Sequence, residues 1–236
     1  MHIAQSNLSA IAERPAIRVH GRKRSHRLSI AGQQLLDELL PLVSVPLDVA
    51  TQNPMHLFAP PCRELWLEIG FGDGGHLAWL AAANPEIGFI GCEPYVNGVA
   101  HLLETIAAQG QGNIRIHAGD ARDILAALPA KSVARVFILF PDPWPRKRHH
   151  KRRFISAENL DALARIMPPA RELLFASDSA DYCQWTLAHM QNHPDFSEAV
   201  HERGEAPITK YEAKARAAGR TPRYLRFIRT QTDNAK

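Results

Sequence analysis

The sequence predicts an α/β protein with one mostly parallel, seven-stranded sheet and helices on both of its faces. From residue 65 onwards, short apolar runs alternate with longer stretches rich in Ala and Leu, an order typical of parallel strands joined by crossover helices. A glycine-rich turn at residues 70–75 follows the first run directly. Acidic side chains recur where the apolar runs end. A chain of 236 residues without an internal repeat suits one large domain.

Composition excludes several other classes of protein. Hydrophobic residues make up 45% of the chain and charged residues 22%, as in an ordinary globular domain. No apolar run approaches the roughly 18 residues that a membrane helix needs, and the N-terminus lacks the apolar centre of a signal peptide. The three cysteines have no C-x-x-C spacing and are interpreted as reduced thiols. We therefore expect a cytoplasmic protein that is not associated with a membrane.

The N-terminal quarter of the chain is predicted to lie outside the sheet. Residues 1–32 are basic and show little periodicity, which indicates a mobile arm. Residues 33–40 have the composition of a short helix, and residues 41–61 contain five prolines, which favours a connecting loop. The predicted organisation is an arm at 1–32, a short helix with a proline-rich connection at 33–61, and the sheet domain at 62–236.

The first half of the sheet domain supplies three strands, each followed by a helix. The segment 65–69 is apolar and stops at the glycine-rich turn, as a buried parallel strand does. The helix after that turn ends at Asn84-Pro85, and the next helix is closed by Gly110. The predicted strands are 65–69, 88–92 and 113–117, and the predicted helices are 76–83, 96–109 and 124–128.

The second half supplies the remaining four strands. The apolar run from Val133 to Phe140 is interpreted as a buried strand that stops at Pro141. Ser156 is a capping residue for a helix whose apolar side chains form one stripe. The predicted strands are 133–140, 172–176, 196–201 and 224–228, and the predicted helices begin after Ser156, at 182 and at 210.

Four carboxylates follow the ends of the second to fifth predicted strands. They are Glu93, Asp120, Asp142 and Asp178. Parallel strands end at the same edge of a sheet, and ligands of such sheets bind beyond that edge. The shared position of these acids therefore predicts a ligand site there.

The glycine-rich turn fits two cofactor motifs. Gly70, Gly72 and Gly75 satisfy G-x-G-x-x-G, which is typical of dinucleotide sites. Gly70, Gly72 and Gly74 satisfy G-x-G-x-G, which is usual in enzymes that bind S-adenosylmethionine. Glu93 suits the hydroxyls of a ribose under either interpretation, so the turn alone leaves both open.

Two further carboxylates favour a cationic cofactor. Glu68 precedes the turn, where it can face the ammonium or sulfonium group of a methionine moiety. Asp120 can accept a hydrogen bond from the amino group of adenine. A negatively charged wall suits S-adenosylmethionine better than a pyrophosphate. The structural alternatives are a paired strand residue for Glu68 and a helix cap for Asp120.

The stretch from Phe140 to Arg153 combines an acid with a block of positive charge. Three prolines stiffen the chain around Asp142, and six of the eight residues at 146–153 are Lys or Arg. This pattern predicts a reaction site beside a clamp for a polyanion. The alternatives are a turn role for Asp142 and a solvated charged face. His149 and His150 are adjacent and hence poorly placed to chelate, so no metal is predicted.

Four segments together resemble the bacterial tRNA (guanine-N7)-methyltransferases, a family of class I S-adenosylmethionine-dependent methyltransferases. The segments are Leu67–Gly74, Phe140–Trp144, Arg148–Arg153 and Thr209–Glu212. The resemblance implies a single Rossmann-like class I methyltransferase domain, S-adenosylmethionine as cofactor and tRNA as partner. It implies methyl transfer to N7 of the variable-loop guanosine at tRNA position 46 by a monomer or homodimer.

The resemblance also implies roles for individual residues, with Asp142 as the catalytic residue. The implied cofactor contacts are Glu68, Gly70, Gly72, Gly74, Glu93, Asp120 and Asp142. The implied substrate contacts are Arg146, Asp178, Thr209, Lys210, Tyr211 and Glu212. The implied RNA contacts are Arg148, His149, His150, Lys151, Arg152 and Arg153.

Two other classes of function stay open on the sequence. The G-x-G-x-x-G motif is compatible with a nicotinamide-dependent oxidoreductase, and the basic block is compatible with a non-catalytic RNA-binding module. Thr209–Glu212 also fits a capping box at the start of a helix that Gly219 closes. The chain departs from the family pattern at Arg146, often Lys, at Gly75, often Glu, and at 168–171, where glycines are usual.

Overall fold

The computed structural model describes residues 27–200 and 208–230, and its centre is a seven-stranded sheet. Its strands are β1 Glu64–Ile69, β2 Ile87–Cys92, β3 Ile114–His117, β4 Arg135–Leu139, β5 Glu172–Ser177, β6 Phe196–Ala199 and β7 Arg223–Arg229. Their order across the sheet is β3-β2-β1-β4-β5-β7-β6. Strands β1 to β5 run parallel, whereas β7 is antiparallel to both β5 and β6. The predicted mostly parallel, seven-stranded sheet is confirmed.

The direction in which strands are added reverses beside β1. From β1 the chain builds outwards through β2 and β3, and it then returns to place β4 on the other side of β1. Glu68 near the end of β1 lies opposite Gly91 of β2 and Phe137 of β4. In doubly wound sheets, ligands bind beyond the carboxyl ends of the strands at this point. The turns after β1 and β4 therefore emerge side by side, where a ligand can touch both.

Helices cover both faces of the sheet. They are α1 Ile30–Glu38, α2 Leu40–Val43, α3 Leu47–Gln52, α4 Gly75–Ala83, α5 Val96–Gln109, α6 Ala121–Ala127, α7 Ala157–Ile166, α8 Ala180–Gln191 and α9 Lys210–Ala217. As predicted, α5 ends at Gly110 with φ 64°, and the Ser156 hydroxyl accepts a hydrogen bond at the start of α7. In the described parts of the chain, no helix has the length and apolar character needed to cross a bilayer.

Alternate residues of the inner strands pack on opposite faces of the sheet. Leu67 of β1 packs in one apolar cluster with Leu163 of α7. Phe89 of β2 packs in the other with Leu77 of α4 and Leu102 of α5. Because both faces are covered, these strands are apolar along most of their length. The two packed layers give the loops at the sheet edge a rigid base.

The prediction of a connecting loop at 41–61 is wrong. Helices α2 and α3 and a short 3-10 helix, Pro54–Leu57, lie in this segment. Pro41 is in the first turn of α2, Pro46 precedes α3, and Pro54 begins the 3-10 helix. Proline is tolerated in a first helical turn because its missing N–H would have no partner there. Helix α1 begins at Ile30, earlier than predicted, and most of the predicted arm lies outside the described residues.

Candidate cofactor cleft and nucleic-acid interface

The turn between β1 and α4 needs glycine at three positions. Gly70, Gly72 and Gly74 have φ values of 75°, 61° and 79°, which glycine adopts without steric cost. Gly75 lies in α4 without such a φ, and a Cβ there would meet only Asp73 Oδ1 at 3.7 Å. The geometry therefore requires the glycines of G-x-G-x-G and not the last glycine of G-x-G-x-x-G.

Glu93 fastens this glycine turn to the start of α5. Its Oε2 accepts a hydrogen bond from the Gly72 N–H at 2.8 Å, and its Oε1 accepts one from the Tyr95 N–H at 2.9 Å. Burial raises the pKa of Glu93, assisted by the charges of Asp142 and Glu68, while the two backbone N–H groups oppose the change. The carboxylate thus organises the turn from the end of β2.

Gly98 makes a close contact that the sequence did not predict. It lies in the first turn of α5, where an added Cβ would stand 2.0 Å from the carbonyl oxygen of Gly72. Real atoms do not approach this closely, so α5 packs against the glycine turn only because residue 98 has no side chain. The available signal was a glycine inside a predicted helix, which is unfavourable by about 1 kcal/mol relative to alanine unless packing requires it.

Glu68 is buried near the end of β1 against His76 of α4. The His76 Nδ1 lies 2.8 Å from Glu68 Oε2, and the side chains are 8% and 3% exposed respectively. Burial opposes protonation of His76, but the charge of Glu68 and the hydrogen bond to it outweigh burial and raise the pKa of the imidazole. Glu68 therefore pairs with a neighbouring side chain, as the structural alternative from the sequence predicts. His76 had no motif to identify it; only its place just after the turn relates it to Glu68.

The His76–Glu68 pair predicts a pH-dependent contribution to stability. The folded-state pKa of His76 lies above the free value of 6.5, so protonation stabilises the folded chain. This stabilisation is complete below the free value and is lost as the pH rises through the folded-state pKa. We expect His76→Asn to reduce the free energy of unfolding more at about pH 6 than at about pH 9, measured by urea denaturation.

The matched control for this prediction is His101→Asn. His101 forms an exposed pair with Glu104, with its side chain 60% exposed, so solvent screens the interaction. A pH-dependent loss of the same size in both variants would contradict a specific role for the buried pair.

The start of α9 closes one side of the cleft above the glycine turn. A cavity of about 270 Å³ is lined by Glu68, His76 and Phe140 and by Thr209, Lys210 and Tyr211. The ring of Tyr211 lies directly over the turn, because its Cε2 is 2.9 Å from the place that a Cβ on Gly72 would take. Residues implied as substrate contacts and residues implied as cofactor contacts therefore share one cleft.

Glu212 supports the start of α9 from within the protein. The Thr209 Oγ1 accepts a hydrogen bond from the Glu212 N–H at 3.1 Å, which confirms the predicted helix cap. The Glu212 side chain has 0% exposure and pairs with Arg216, and its Oε2 accepts a hydrogen bond from the Tyr224 hydroxyl at 2.6 Å. Glu212 thus positions Thr209 and Tyr211 without lining the cavity.

Asp142 lies on a strained turn that follows β4. Phe140 and Trp144, on either side of it, have φ values of 52° and 44°, a conformation that costs non-glycine residues roughly 1–3 kcal/mol and needs support from its surroundings. The Phe140 N–H donates to the Ala176 carbonyl at 2.7 Å. Although the Asp142 side chain is exposed, protein atoms packed around its carboxylate desolvate it and raise its pKa. The turn presents a single carboxylate between two residues in left-handed conformation.

Asp142, Glu93 and Tyr211 lie within electrostatic range of one another. After burial, which is the main cause in both cases, the charge of Asp142 contributes to the raised pKa of Glu93 and of Tyr211. These electrostatic contacts bring together the acids after β2 and β4 and the start of α9. The acids after β2 and β4 are thus near enough for the charge of Asp142 to raise the pKa of Glu93.

Asp120 and Asp178 have partners of their own. Asp120 caps α6, since its Oδ1 accepts a hydrogen bond from the Arg122 N–H at 3.0 Å. Its charge also adds to burial in raising the pKa of Cys92, which places Asp120 near the end of β2. Asp178 pairs with Arg220 at 2.6 Å. Within residues 27–200 and 208–230, no group of three or more His, Cys, Asp or Glu side chains is arranged to hold a metal ion.

The basic block, residues 146–153, has an exposed part and a packed part. The exposed cations are Arg146, Lys147, Arg148 and Lys151. The guanidinium of Arg152 lies over the ring of Trp144, 4.9 Å from its centre, and the His149 ring meets the same indole edge-on at 5.9 Å. The chain forms a 3-10 helix at Lys147–Arg152, which spreads the exposed cations beside the Asp142 turn.

Arg153 and His150 instead point into the protein. The Arg153 side chain has 0% exposure and pairs with Asp181. His150 Nε2 lies 3.7 Å from the same carboxylate, and its side chain is 16% exposed. The guanidinium of Arg153 therefore presents no exposed surface to RNA in this structure, unlike the four exposed cations of the block.

Comparison with known proteins agrees with the methyltransferase cofactor site that the geometry indicates. A family model described as "Putative methyltransferase" matches residues 63–224. The tRNA (guanine-N(7)-)-methyltransferase of Nitrobacter winogradskyi is 43% identical over 93% of this chain and 89% of its own length. The protein of the same name from Ruegeria pomeroyi is 44% identical over 93% of this chain and 97% of its own length.

A solved structure supports the fold independently. The SAM-dependent O-methyltransferase from Thermotoga maritima superimposes with a TM-score of 0.51 at 14% identity, covering 90% of this chain and 69% of that protein. The predicted class I methyltransferase fold and S-adenosylmethionine as cofactor are confirmed. With the required glycine turn, the carboxylates beside it and relatives at this level of identity, the chain belongs to the family of tRNA (guanine-N7)-methyltransferases.

Proposed function

We propose that this protein methylates N7 of guanosine 46 in the variable loop of tRNA. One observation carries the proposal: the turn that holds Asp142 begins at Phe140 in the lining of the cleft and leads into the exposed cations of the basic block. The curated relatives carry the name tRNA (guanine-N(7)-)-methyltransferase, which supports tRNA and the N7 atom as the targets. Position 46 follows from the resemblance of the sequence motifs to the bacterial family.

The residues around the cleft suit S-adenosylmethionine. The glycine turn lets a ligand approach the backbone, Glu68 lines the cleft, and Glu93 and Asp142 add negative charge within electrostatic range of it. When bound, S-adenosylmethionine supplies an electrophilic methyl group on a positively charged sulfur. Three carboxylates favour such a cation and disfavour the pyrophosphate of a nicotinamide dinucleotide. The requirement for G-x-G-x-G geometry points the same way.

Asp142 is the proposed catalytic residue. Guanine N7 is a hydrogen-bond acceptor with a free lone pair, so it can take up a methyl group without first losing a proton. The protein must therefore hold the base in line and stabilise positive charge as it develops on the purine. A carboxylate fixed on a strained turn can accept hydrogen bonds from the guanine and offset that charge. Thr209 and Tyr211 line the same cavity and are proposed to hold the base.

The exposed cations of the basic block are the proposed tRNA contacts. Arg146, Lys147, Arg148 and Lys151 lie beside the Asp142 turn, so phosphates bound there bring the RNA close to the cleft. Arg152, whose guanidinium lies over the ring of Trp144, supports this surface and adds a further cationic group. A non-catalytic RNA-binding module would use the same surface but would have no need of the carboxylates in the cleft.

The double variant Arg148→Ala/Lys151→Ala tests the tRNA contacts. Each lost phosphate contact should reduce the slope of log affinity against log salt by about 0.7 to 0.9, because fewer counterions are released. We expect weaker tRNA binding and a slope reduced by about 1.4 to 1.8, measured by fluorescence anisotropy across a salt series. Affinity for S-adenosylhomocysteine should stay at the wild-type value.

Arg63→Ala is the control for this measurement. Arg63 is an exposed cation, 67% accessible, that precedes β1 at the opposite edge of the sheet. The Arg63→Ala substitution removes one charge far from the proposed surface, so the tRNA affinity and salt slope of this variant should match the wild type. Unchanged values in the double variant would refute the clamp.

Nucleoside mass spectrometry tests the activity itself. Purified protein, S-adenosylmethionine and unmodified tRNA should produce N7-methylguanosine, and fragment mapping should place it at position 46. A tRNA transcript with adenosine at position 46 should stay unmethylated. Methylation at another guanosine would refute the positional assignment, and binding without any methylation would favour the RNA-binding module.

A further inference from the structure

We infer that Arg153 is a positioning residue for methyl transfer, which holds the Asp142 turn against helix α8 instead of binding RNA. The inference rests on the proposed function, because it assigns Asp142 to the reaction. The inference gives Arg153 a different role from the exposed cations of the basic block, because its guanidinium lies inside the protein.

The guanidinium of Arg153 joins two parts of the site. Its Nε donates a hydrogen bond to the carbonyl oxygen of Pro143 at 2.9 Å, directly after Asp142. Its other end donates to the carboxylate of Asp181 in the first turn of α8. Helix α8 begins just after Asp178, the acid that follows β5. One side chain therefore fixes the Asp142 turn relative to the end of the next strand.

Aromatic rings enclose the same guanidinium. Its central carbon lies 4.9 Å from the centre of the Tyr182 ring and 5.1 Å from that of Trp185. The Tyr182 hydroxyl accepts a hydrogen bond from the Ile155 N–H at 3.3 Å, and the Trp185 Nε1 donates to the Ile155 carbonyl at 2.8 Å. Helix α8 thus holds the chain at Ile155, two residues after Arg153, while two of its rings enclose the guanidinium.

The charge of Arg153 is compensated inside this arrangement. The hydrogen bond from Arg153 lowers the pKa of Asp181, so the pair stays ionised at neutral pH. Burial raises the pKa of Tyr182 to about 12, so the phenol stays neutral and serves as a packing surface. The guanidinium is thus paired with a carboxylate inside the protein and is not exposed to a phosphate outside it.

The strain in the Asp142 turn explains why such a support is needed. Phe140 and Trp144 both have left-handed backbone conformation, which relaxes unless neighbouring groups prevent it. The Ala176 carbonyl holds the turn at Phe140, and Arg153 holds it at Pro143. Without the second support, the Asp142 carboxylate would be free to move from its place over the cleft.

Arg153→Lys is the variant that tests this role. Lysine keeps the positive charge but has one point-like head group, so it cannot bond Pro143 and Asp181 together as the planar fork does. A displacement of about 1 Å can cost about 10²-fold in rate, so we expect kcat to fall about 10- to 100-fold. KM for tRNA, affinity for S-adenosylhomocysteine and the salt slope of tRNA binding should stay within about twofold of wild type, since no phosphate contact is lost.

Further variants separate a positioning role from a phosphate contact and from a loss of stability. Asp181→Asn changes a side chain that is 62% exposed, so it tests the same link without altering a buried position, and kcat should fall several-fold in the same direction. Arg148→Ala should instead weaken tRNA binding, with a salt slope reduced by about 0.7 to 0.9. Arg63→Ala, which is far from the site, should keep the wild-type kcat and salt slope. Stoichiometric titration with S-adenosylhomocysteine corrects each kcat for the folded fraction, so a loss of stability alone would leave it unchanged.

The outcomes distinguish this role from the proposed function. An active wild type combined with wild-type kcat in both Arg153→Lys and Asp181→Asn would overturn only the positioning role. A salt slope reduced by about 0.7 to 0.9 in Arg153→Gln, which removes the charge that lysine keeps, would overturn it in favour of a phosphate contact. If Arg153→Lys does not fold, the kcat of Asp181→Asn decides. A wild-type protein that transfers no methyl group to any tRNA would refute the proposed function, and the positioning role with it.

Discussion

Replacing Asp142 by Asn should reduce kcat for methyl transfer by about 10²- to 10³-fold, the usual effect of losing one preorganised electrostatic group. Asparagine keeps the size and the turn-forming capacity of aspartate but has no negative charge to offset the charge that develops on guanine. Initial rates at saturating S-adenosylmethionine and tRNA measure the effect. Because the family resemblance also makes Asp142 a cofactor contact, affinity for the cationic cofactor should fall as well.

The pH dependence of this variant supplies a second test. Desolvation raises the pKa of Asp142, so in the wild type the carboxylate takes up its proton at a higher pH than an ordinary aspartate does. Activity should therefore fall as the pH drops through that raised pKa, and Asp142→Asn should lose this part of the profile. Asp37→Asn, an exposed acid in α1, is the control and should be fully active. Near-wild-type turnover in Asp142→Asn would remove Asp142 from the mechanism.

Replacing Glu93 by Ala should weaken affinity for S-adenosylhomocysteine by about 10- to 150-fold. This range corresponds to about 1.5–3 kcal/mol, the value of a hydrogen bond to a charged group. The variant loses the proposed ribose contacts and also leaves the N–H groups of Gly72 and Tyr95 without their carboxylate partner. The glycine turn should therefore become less ordered. Isothermal titration calorimetry measures the affinity, and thermal unfolding measures the accompanying loss of stability.

Glu86→Ala is the matched control for the Glu93 variant. Glu86 immediately precedes β2, whereas Glu93 immediately follows it, so the two acids flank opposite ends of one strand. The Glu86 side chain is 50% exposed and pairs with the exposed Arg63. Its removal should leave affinity for S-adenosylhomocysteine at the wild-type value. Equal affinities for the two variants would place Glu93 outside the cofactor site.

The parts of this protein that could be predicted from sequence are those set by local chemistry. Gly110 ends α5 and Ser156 caps α7 because each acts on the few residues beside it. Glu93 and Asp142 could be placed at one edge because parallel strands all end there. The ambiguous glycine motif needed the backbone angles, since only φ distinguishes Gly74, which needs glycine, from Gly75, which does not.

The parts that could not be predicted depend on contacts between distant segments. The direction of Arg153 is set by Asp181, Tyr182 and Trp185, and a run of cations in sequence carries no information about which one faces inward. His76 acquires its role only when α4 folds back beside Glu68. The helices at 40–57 could not be predicted for a local reason. Proline favours a loop in sequence, but here the prolines lie in or directly before the first turn of each helix.

The contact between Gly98 and the Gly72 carbonyl limits how this protein can be re-engineered. A library that diversifies only residues 70–75 leaves α5 unchanged. Any variant whose turn lies closer to Gly98 will clash with α5 and fail to fold correctly, even if its cofactor contacts are intact. A library that diversifies α5 will discard sound cofactor sites whenever residue 98 gains a side chain, since 2.0 Å leaves no room for one. Gene shuffling that separates the two segments faces the same barrier. The turn and the first residues of α5 should therefore be varied and inherited together, as one design unit.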